Sequence, residues 1–91
     1  MISKATIDAV YDAIRVEEVI GDFVTLKKAG SNYKGLSPFV NEKSPSFMVS
    51  PAKQIWKDFS SGKGGNAISF IMEHERFSYP EALRYLANKY Q

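Results

Sequence analysis

Cysteine is absent from the 91-residue sequence, so disulfide bonds and metal sites built on thiolates are both excluded. Histidine occurs once, as His74, between Glu73 and Glu75. Zinc needs three or four converging ligands, which one histidine and its two neighbours along the chain do not indicate. We therefore favour an exposed helix residue over a metal ligand at His74.

Long apolar runs are absent as well. No stretch approaches the roughly 18 apolar residues that span a bilayer, and the start, MISKATIDAVYDAI, lacks the basic-then-apolar order of a signal peptide. We expect a cytoplasmic protein without a membrane partner.

Signatures of catalysis are missing too. The sequence has no pair of carboxylates at metal-binding spacing, no Gly-Lys-Ser/Thr phosphate loop and no Ser/His/Asp arrangement. SGKGGN, before a predicted helix, is a weak phosphate-loop signal and more typical of a flexible turn. We expect this segment to be non-catalytic.

Apolar residues are plentiful enough for one packed core. They make up 44% of the chain, and charged residues make up 24%. This balance is typical of globular rather than disordered chains, and the length allows a single domain, residues 1–91.

Positive charge is concentrated in the middle of the chain. Residues 1–23 carry a net charge of −3, and residues 64–91 are balanced. Residues 24–63 contain seven lysines against Glu42 and Asp58, a net charge of +5. Such a block is expected where a protein contacts phosphates, although a solvated lysine-rich face is an equally common cause.

Helical spacing appears at both ends of the sequence. Apolar residues from Ile7 to Phe23 follow the helical period, with a bend expected near Arg15 and an end near Gly21. The helical period returns after Asn66, a good helix cap. FSYPEALRYLANKY predicts a last helix that begins with a Ser-x-x-Glu capping box.

The middle of the chain has the pattern of strands. FVTLKKAG alternates and is followed by a turn, and YKGL, SFMVS and QIWKDF are further short extended segments between turns. Neither face of QIWKDF is cleanly apolar, so the sequence leaves the burial of Trp56 open. The order of helices, sheet and helices predicts an α+β fold with a small antiparallel sheet.

Four segments carry a family resemblance in order: LKKAGSNYKGLSPF, NEKSPSFMVSP, IWKDFSSGKGGNAISFIM and SYPEALRYLA. Together they resemble the amino-terminal zinc-binding domain of bacterial DnaG-type DNA primases. That family holds zinc with Cys-Pro-x-His and Cys-x-x-Cys; here the matching positions are Ser37, Val40, Asp58 and Ser61. The resemblance implies a zinc-ribbon-like sheet flanked by helices, and the replaced ligands predict that zinc is absent.

Without the metal, other interactions have to hold the two ligand-bearing segments together. Structural zinc contributes roughly 10 kcal/mol or more in finger peptides. We expect Ser37, Asp58 and Ser61 to hydrogen-bond one another or turn amides, and Val40 to be buried against neighbours such as Phe39, Phe59 or Ile55. Natural loss of the ligands is favoured over deliberate substitution, for which serine or alanine would suffice.

The resemblance also implies a function, namely recognition of single-stranded DNA template while a separate catalytic domain makes RNA primers. Lysines that follow phosphates and rings that stack on bases are the usual means of single-strand binding. The residues that combine these properties, for which buried or solvated structural roles are the alternative, are Tyr33, Lys34, Lys43, Lys53, Trp56, Lys57 and Lys63. The partners implied are the template, the primase catalytic domain and the replicative helicase.

Two other functions stay open. The domain could dock onto the catalytic domain or the helicase without touching DNA, or it could be a freestanding relic that modulates replication. The final helix pattern has no stop signal, so we expect the amino-terminal fragment of a longer primase.

Overall fold

A computed structural model describes residues 2–90, and Met1 and Gln91, with the predicted continuation beyond Gln91, lie outside the described residues. The order of elements along the chain is α1 (Lys4–Ala13), α2 (Val16–Gly21), β1 (Lys27–Ala29), β2 (Asn32–Gly35), β3 (Phe47–Ser50), β4 (Ile55–Asp58), β5 (Gly64–Gly65), α3 (Ala67–Glu75) and α4 (Tyr79–Tyr90). None of the described helices is long and apolar enough to cross a membrane. The predicted α+β class is confirmed.

The first helical region is two helices rather than one bent helix. Ser3 caps α1, since its Oγ accepts from the amide of Thr6 at 3.2 Å. Ile14 and Arg15 are both extended, with ψ of 140° and 120°. The chain therefore leaves the helical conformation completely before α2 begins.

The five strands form one antiparallel sheet in the order β1-β2-β3-β4-β5. Gly30, with φ of +66°, provides the left-handed residue of the predicted β1–β2 hairpin. β5 was not predicted, because two glycines carry no side-chain pattern. It pairs with β4 through Trp56 opposite Gly65 and Lys57 opposite Gly64.

Gly65 fits where a side chain would not. Its φ is +156°, and a Cβ at this position would lie 2.1 Å from the Oγ of Ser69. This close approach lets α3 start directly after β5, with Asn66 as the predicted cap: its Oδ1 accepts from the Ser69 amide at 2.8 Å.

The capping box of α4 is confirmed. The Ser78 amide donates to Glu81 Oε1 at 2.8 Å, and the Glu81 amide donates to Ser78 Oγ at 3.3 Å. At the other end of α4, the Tyr90 hydroxyl accepts from the Arg15 amide at 3.2 Å and donates to Glu18 Oε1 at 2.8 Å. Both ends of α4 are thus fixed by side chains.

The core lies between one face of the sheet and the helices. Burying its apolar side chains is the main source of stability in a domain of this size. Its buried members are Val10, Val16, Val19, Ile20, Val24, Phe47, Val49, Trp56, Ala67, Ile68, Phe70, Ile71, Ala82, Leu83 and Leu86.

Candidate nucleic-acid interface and the former metal positions

The two faces of the sheet differ in burial and charge. Residues directly opposite one another on neighbouring strands share a face. On the side away from the helices, which we call the outer face, the register aligns Lys27, Lys34, Met48 and Lys57 in one row across β1 to β4. All three lysines are exposed. The sheet therefore presents a basic row to solvent.

Lys27 and Lys34 lie directly opposite each other, an arrangement that is destabilising for like charges. Within residues 2–90, neither lysine has a carboxylate oxygen within 4.0 Å of its ammonium group. An anion bound between them would relieve this repulsion. The pair therefore forms a positively charged site on the outer face that no carboxylate of the described residues neutralises.

Trp56 is on the opposite face and is buried, with 2% of its surface exposed. Its ring stacks on Phe47 with 5.5 Å between centroids and meets Phe70 edge-on at 5.6 Å. Its Nε1 donates to the carbonyl oxygen of Asn66 at 2.8 Å. This settles the burial that the sequence left open and corrects the assignment of Trp56 to the interface, because the ring is not accessible to a base.

Phe59 is the ring that the outer face does present. It is 66% exposed and follows Lys57 by two positions. Ile55, on the same face, is 43% exposed. The alternation of Ile55, Lys57 and Phe59 in QIWKDF was a signal for this surface, but the sequence alone did not show which face was inside.

The remaining predicted interface residues fall in different places. A depression of about 410 Å³ on the outer face includes Lys53 beside Ile55, Lys57 and Phe59. Tyr33, on the inner face, is half-buried, and the ammonium group of Lys28 lies 4.9 Å from its ring centroid.

A second depression gathers three of the lysines. It measures about 540 Å³ and lies beside the β1–β2 hairpin, where Lys27 and Lys34 meet Lys43 from the loop before β3. Lys63, in contrast, pairs with Glu73 Oε2 at 3.1 Å. The structure thus places Lys34 and Lys43 in one depression and Lys53 and Lys57 in the other, and leaves Lys63 apart.

The former metal positions are joined by hydrogen bonds to one carboxylate. The hydroxyls of Ser37 and Ser61 donate to Asp58 Oδ2 at 2.5 and 2.7 Å. The Ser60 amide donates to Asp58 Oδ1 at 3.1 Å. Asp58 is 0% exposed. The expected polar network among Ser37, Asp58 and Ser61 is confirmed.

These residues do not fit zinc. Two of the four positions carry neutral hydroxyls and the third a carboxylate already engaged by three donors, whereas protein zinc sites use thiolate, imidazole and carboxylate ligands. Val40 has no donor atom at all. It is 38% exposed, so the expectation that Val40 is buried was wrong. The backbone of this segment is held instead by hydrogen bonds, since the amides of Phe39 and Val40 donate to Ser37 Oγ at 3.1 and 3.3 Å.

Glu42 forms a second carboxylate centre, which was not predicted from the sequence. Its Oε2 accepts from the amides of Ser37 at 2.7 Å and Ser46 at 3.2 Å, and its Oε1 accepts from the hydroxyls of Ser46 and Ser60. These hydrogen bonds, from Ser60 first and then from Ser46 and Ser37, lower the pKa of Glu42 to about 2. Serines on both sides of a lone glutamate in SPFVNEKSPS were the available signal.

His74 is half-buried rather than exposed as expected. Its ring stacks on Phe70 with 5.3 Å between centroids and lies 4.7 Å from Phe23. Across residues 2–90, no group of three or more histidine, cysteine, aspartate or glutamate side chains is arranged to hold a metal ion. His74 is therefore best described as a packing residue.

Comparisons with known proteins agree with this architecture. The CHC2 zinc finger family model matches residues 2–91. The DNA primase of Listeria monocytogenes is 47% identical over 87 residues, and that of Synechocystis sp. is 49% identical over 86 residues. These alignments cover 96% and 94% of the chain but only 14% of each relative's length.

A solved structure gives the same result. The crystal structure of the zinc-binding and RNA polymerase domains of Aquifex aeolicus primase superimposes with a TM-score of 0.87 at 44% identity. The match covers 99% of this chain and 22% of that one. The chain therefore belongs to the CHC2 zinc finger family, the family of the zinc-binding domain of DnaG-type DNA primases.

Proposed function

We propose that this domain recognises single-stranded DNA template for a primase that makes RNA primers, and that the outer face of the sheet holds the strand. The observation that carries the proposal is the row of Lys27, Lys34 and Lys57 beside the exposed ring of Phe59. Membership of a primase domain family supports it.

The row of lysines is long enough to contact a short stretch of the DNA sugar–phosphate backbone. Neighbouring strands are about 4.8 Å apart, so the three intervals from β1 to β4 span roughly 14 Å. Lys43 extends the basic surface at the β1–β2 end, and Lys53 extends it at the β4 end. A strand that crosses the sheet along this row would meet lysines on β1, β2 and β4, with Met48 between them on β3.

Phe59, rather than the buried Trp56, is the ring on which a base would stack. Base stacking on an aromatic ring is worth about 1 to 3 kcal/mol and tolerates any base. Phe59 is two residues from Lys57 on the same strand side, so a phosphate and its base can engage both. The interface therefore has one stacking position and several phosphate contacts.

Fluorescence anisotropy with a short labelled single-stranded DNA, measured at several salt concentrations, tests this proposal. Each phosphate contact contributes about −0.7 to the log–log salt slope. A Lys34→Ala/Lys57→Ala variant should bind more weakly and with a slope shallower by about 1.4. The matched control, Lys4→Ala/Arg84→Ala, removes the same charge from the exposed surface of α1 and α4.

A Phe59→Ala variant separates stacking from charge. Loss of one stacked base should weaken binding about 5- to 150-fold, corresponding to about 1 to 3 kcal/mol, with no change in salt slope. Equal binding by the double lysine variant and its control would contradict the proposal.

Docking onto a protein is the second candidate, and the apolar part of the same face favours it. Phe59, Ile55 and Leu36 are all exposed by more than two fifths. The partner would be the primase catalytic domain or the replicative helicase. DNA binding that is undetectable even at low salt, together with a Phe59-dependent complex with either partner, would favour docking.

A further inference from the structure

We propose that hydrogen bonds to Asp58 and Glu42 replace the metal of the CHC2 zinc finger family, so that this chain reaches the family fold without binding zinc. These bonds connect the first knuckle segment, residues 37–40, to the second knuckle segment, residues 58–61. They form whether or not the domain binds DNA.

Asp58 joins the two knuckle segments at one atom. Its Oδ2 accepts from Ser37 in the first segment and from Ser61 in the second. The carboxylate thus connects positions 21 residues apart, as a shared metal ion would. Hydrogen bonds to an ionised acceptor are about twice as strong as those between neutral groups.

The polar atoms of the site are already engaged in hydrogen bonds. Asp58 is fully buried and its two oxygens accept three hydrogen bonds, while Ser37 Oγ accepts two backbone amides as well as donating to Asp58. No buried side-chain nitrogen or oxygen among the described residues lacks a partner. A metal entering here would have to break bonds that are already made.

Glu42 adds a second connection outside the first. It accepts from Ser46, at the end of the loop before β3, and from Ser60, in the turn after β4. The amide of Ser37 also donates to Glu42, so the first knuckle segment is tied to both carboxylates. Two carboxylates therefore connect the loop before β3 to the turn after β4, the connection for which the CHC2 zinc finger family is named after a metal.

Elemental analysis and thermal unfolding of the 91-residue chain test the proposal directly. After expression with added zinc, we expect less than about 0.1 zinc ion per chain and the same Tm with and without a chelator, because the donor set does not fit the metal. One bound zinc per chain, or a Tm that falls when the chelator is added, would overturn the proposal.

Substitutions test the hydrogen-bond closure itself. Asp58→Asn should lower the Tm by about 10 °C or more, and the milder Ser61→Ala by about 4 to 8 °C. The control is Asp8→Asn, at an exposed carboxylate of α1 that pairs with Lys4. A Tm for Asp58→Asn equal to that of Asp8→Asn would refute the role of the carboxylate.

Restoring the family ligands completes the test. A Ser37→Cys/Val40→His/Asp58→Cys/Ser61→Cys variant should bind one zinc ion tightly and acquire a chelator-sensitive Tm. This variant remains informative if Asp58→Asn does not fold. Zinc-dependent folding of the restored variant would show that Asp58→Asn lacks only the connection between the two knuckle segments. Failure of the restored variant to bind zinc would indicate that the two segments are not positioned as a metal site and would contradict the proposal.

Discussion

Replacing Trp56 by phenylalanine tests whether the indole is a core group. The substitution removes the Nε1 hydrogen bond to the Asn66 carbonyl, worth about 1 kcal/mol. Asn66 O still accepts from the Phe70 amide at 3.0 Å, so no buried acceptor is left without a partner. The smaller ring leaves a void of roughly 40 Å³, which at about 24 cal/mol per Å³ costs ~1 kcal/mol more. We expect the free energy of unfolding to fall by about 2 kcal/mol.

The assay is urea and thermal denaturation followed by far-ultraviolet circular dichroism, because Trp56 is the only tryptophan and the variant has no indole fluorescence. The expected fall in Tm is about 8 to 16 °C. Phe59→Leu is the control on the exposed side of the same region and should stay within about 0.5 kcal/mol of the parent. If Trp56→Phe also stayed within that range while losing DNA affinity, the burial argument would be refuted and Trp56 would return to the interface.

Gly65→Ala should cost more than about 2 kcal/mol, because the new Cβ meets Ser69 in a backbone conformation that disfavours side chains. Gly21→Ala, where nothing lies within 4 Å of the added Cβ, should be neutral or stabilising when measured by the same urea titration. Ser78→Ala should cost about 1 kcal/mol through loss of the capping box, and a Tm unchanged by it would show that α4 does not depend on its cap. Burial raises the pKa of Tyr90 to about 12, so the folded state holds this proton more tightly than the unfolded chain does. The contribution of Tyr90 to the free energy of unfolding is therefore fully present below pH 10 and is lost as the pH rises toward 12. Tyr90→Phe should flatten this part of the curve of urea midpoint against pH, and an unchanged slope would contradict the assignment.

The helices and the sheet could be predicted because their patterns are local. The capping box at Ser78 and the cap at Asn66 are read from neighbouring residues and were confirmed. A bend was expected near Arg15, but a complete break at Ile14 and Arg15 was not, since the apolar period continues on both sides of it. Burial of Trp56 depended on Asn66 and Phe70, ten or more residues away, and no pattern within QIWKDF contains that information.

The former metal positions show the same limit. Bonds among Ser37, Asp58 and Ser61 could be predicted because the resemblance places these residues at the family's zinc-ligand positions, which lie close together. Nothing in the resemblance assigns a role to Glu42, and its partner Ser60 is 18 residues away. The expectation for Val40 failed because an apolar residue type does not by itself show that the fold covers it.

The bonds that join the knuckle segments are made entirely between groups of one chain. If they replace the metal, closing the domain is a unimolecular step, whose rate depends on no other solute. A metal-closed relative would need an encounter with an ion, and its folded fraction would follow the free concentration of that ion. Hydroxyls and carboxylates also lack the oxidation chemistry of thiolates. The folded population of this domain would then be independent of both the metal supply and the redox state around it.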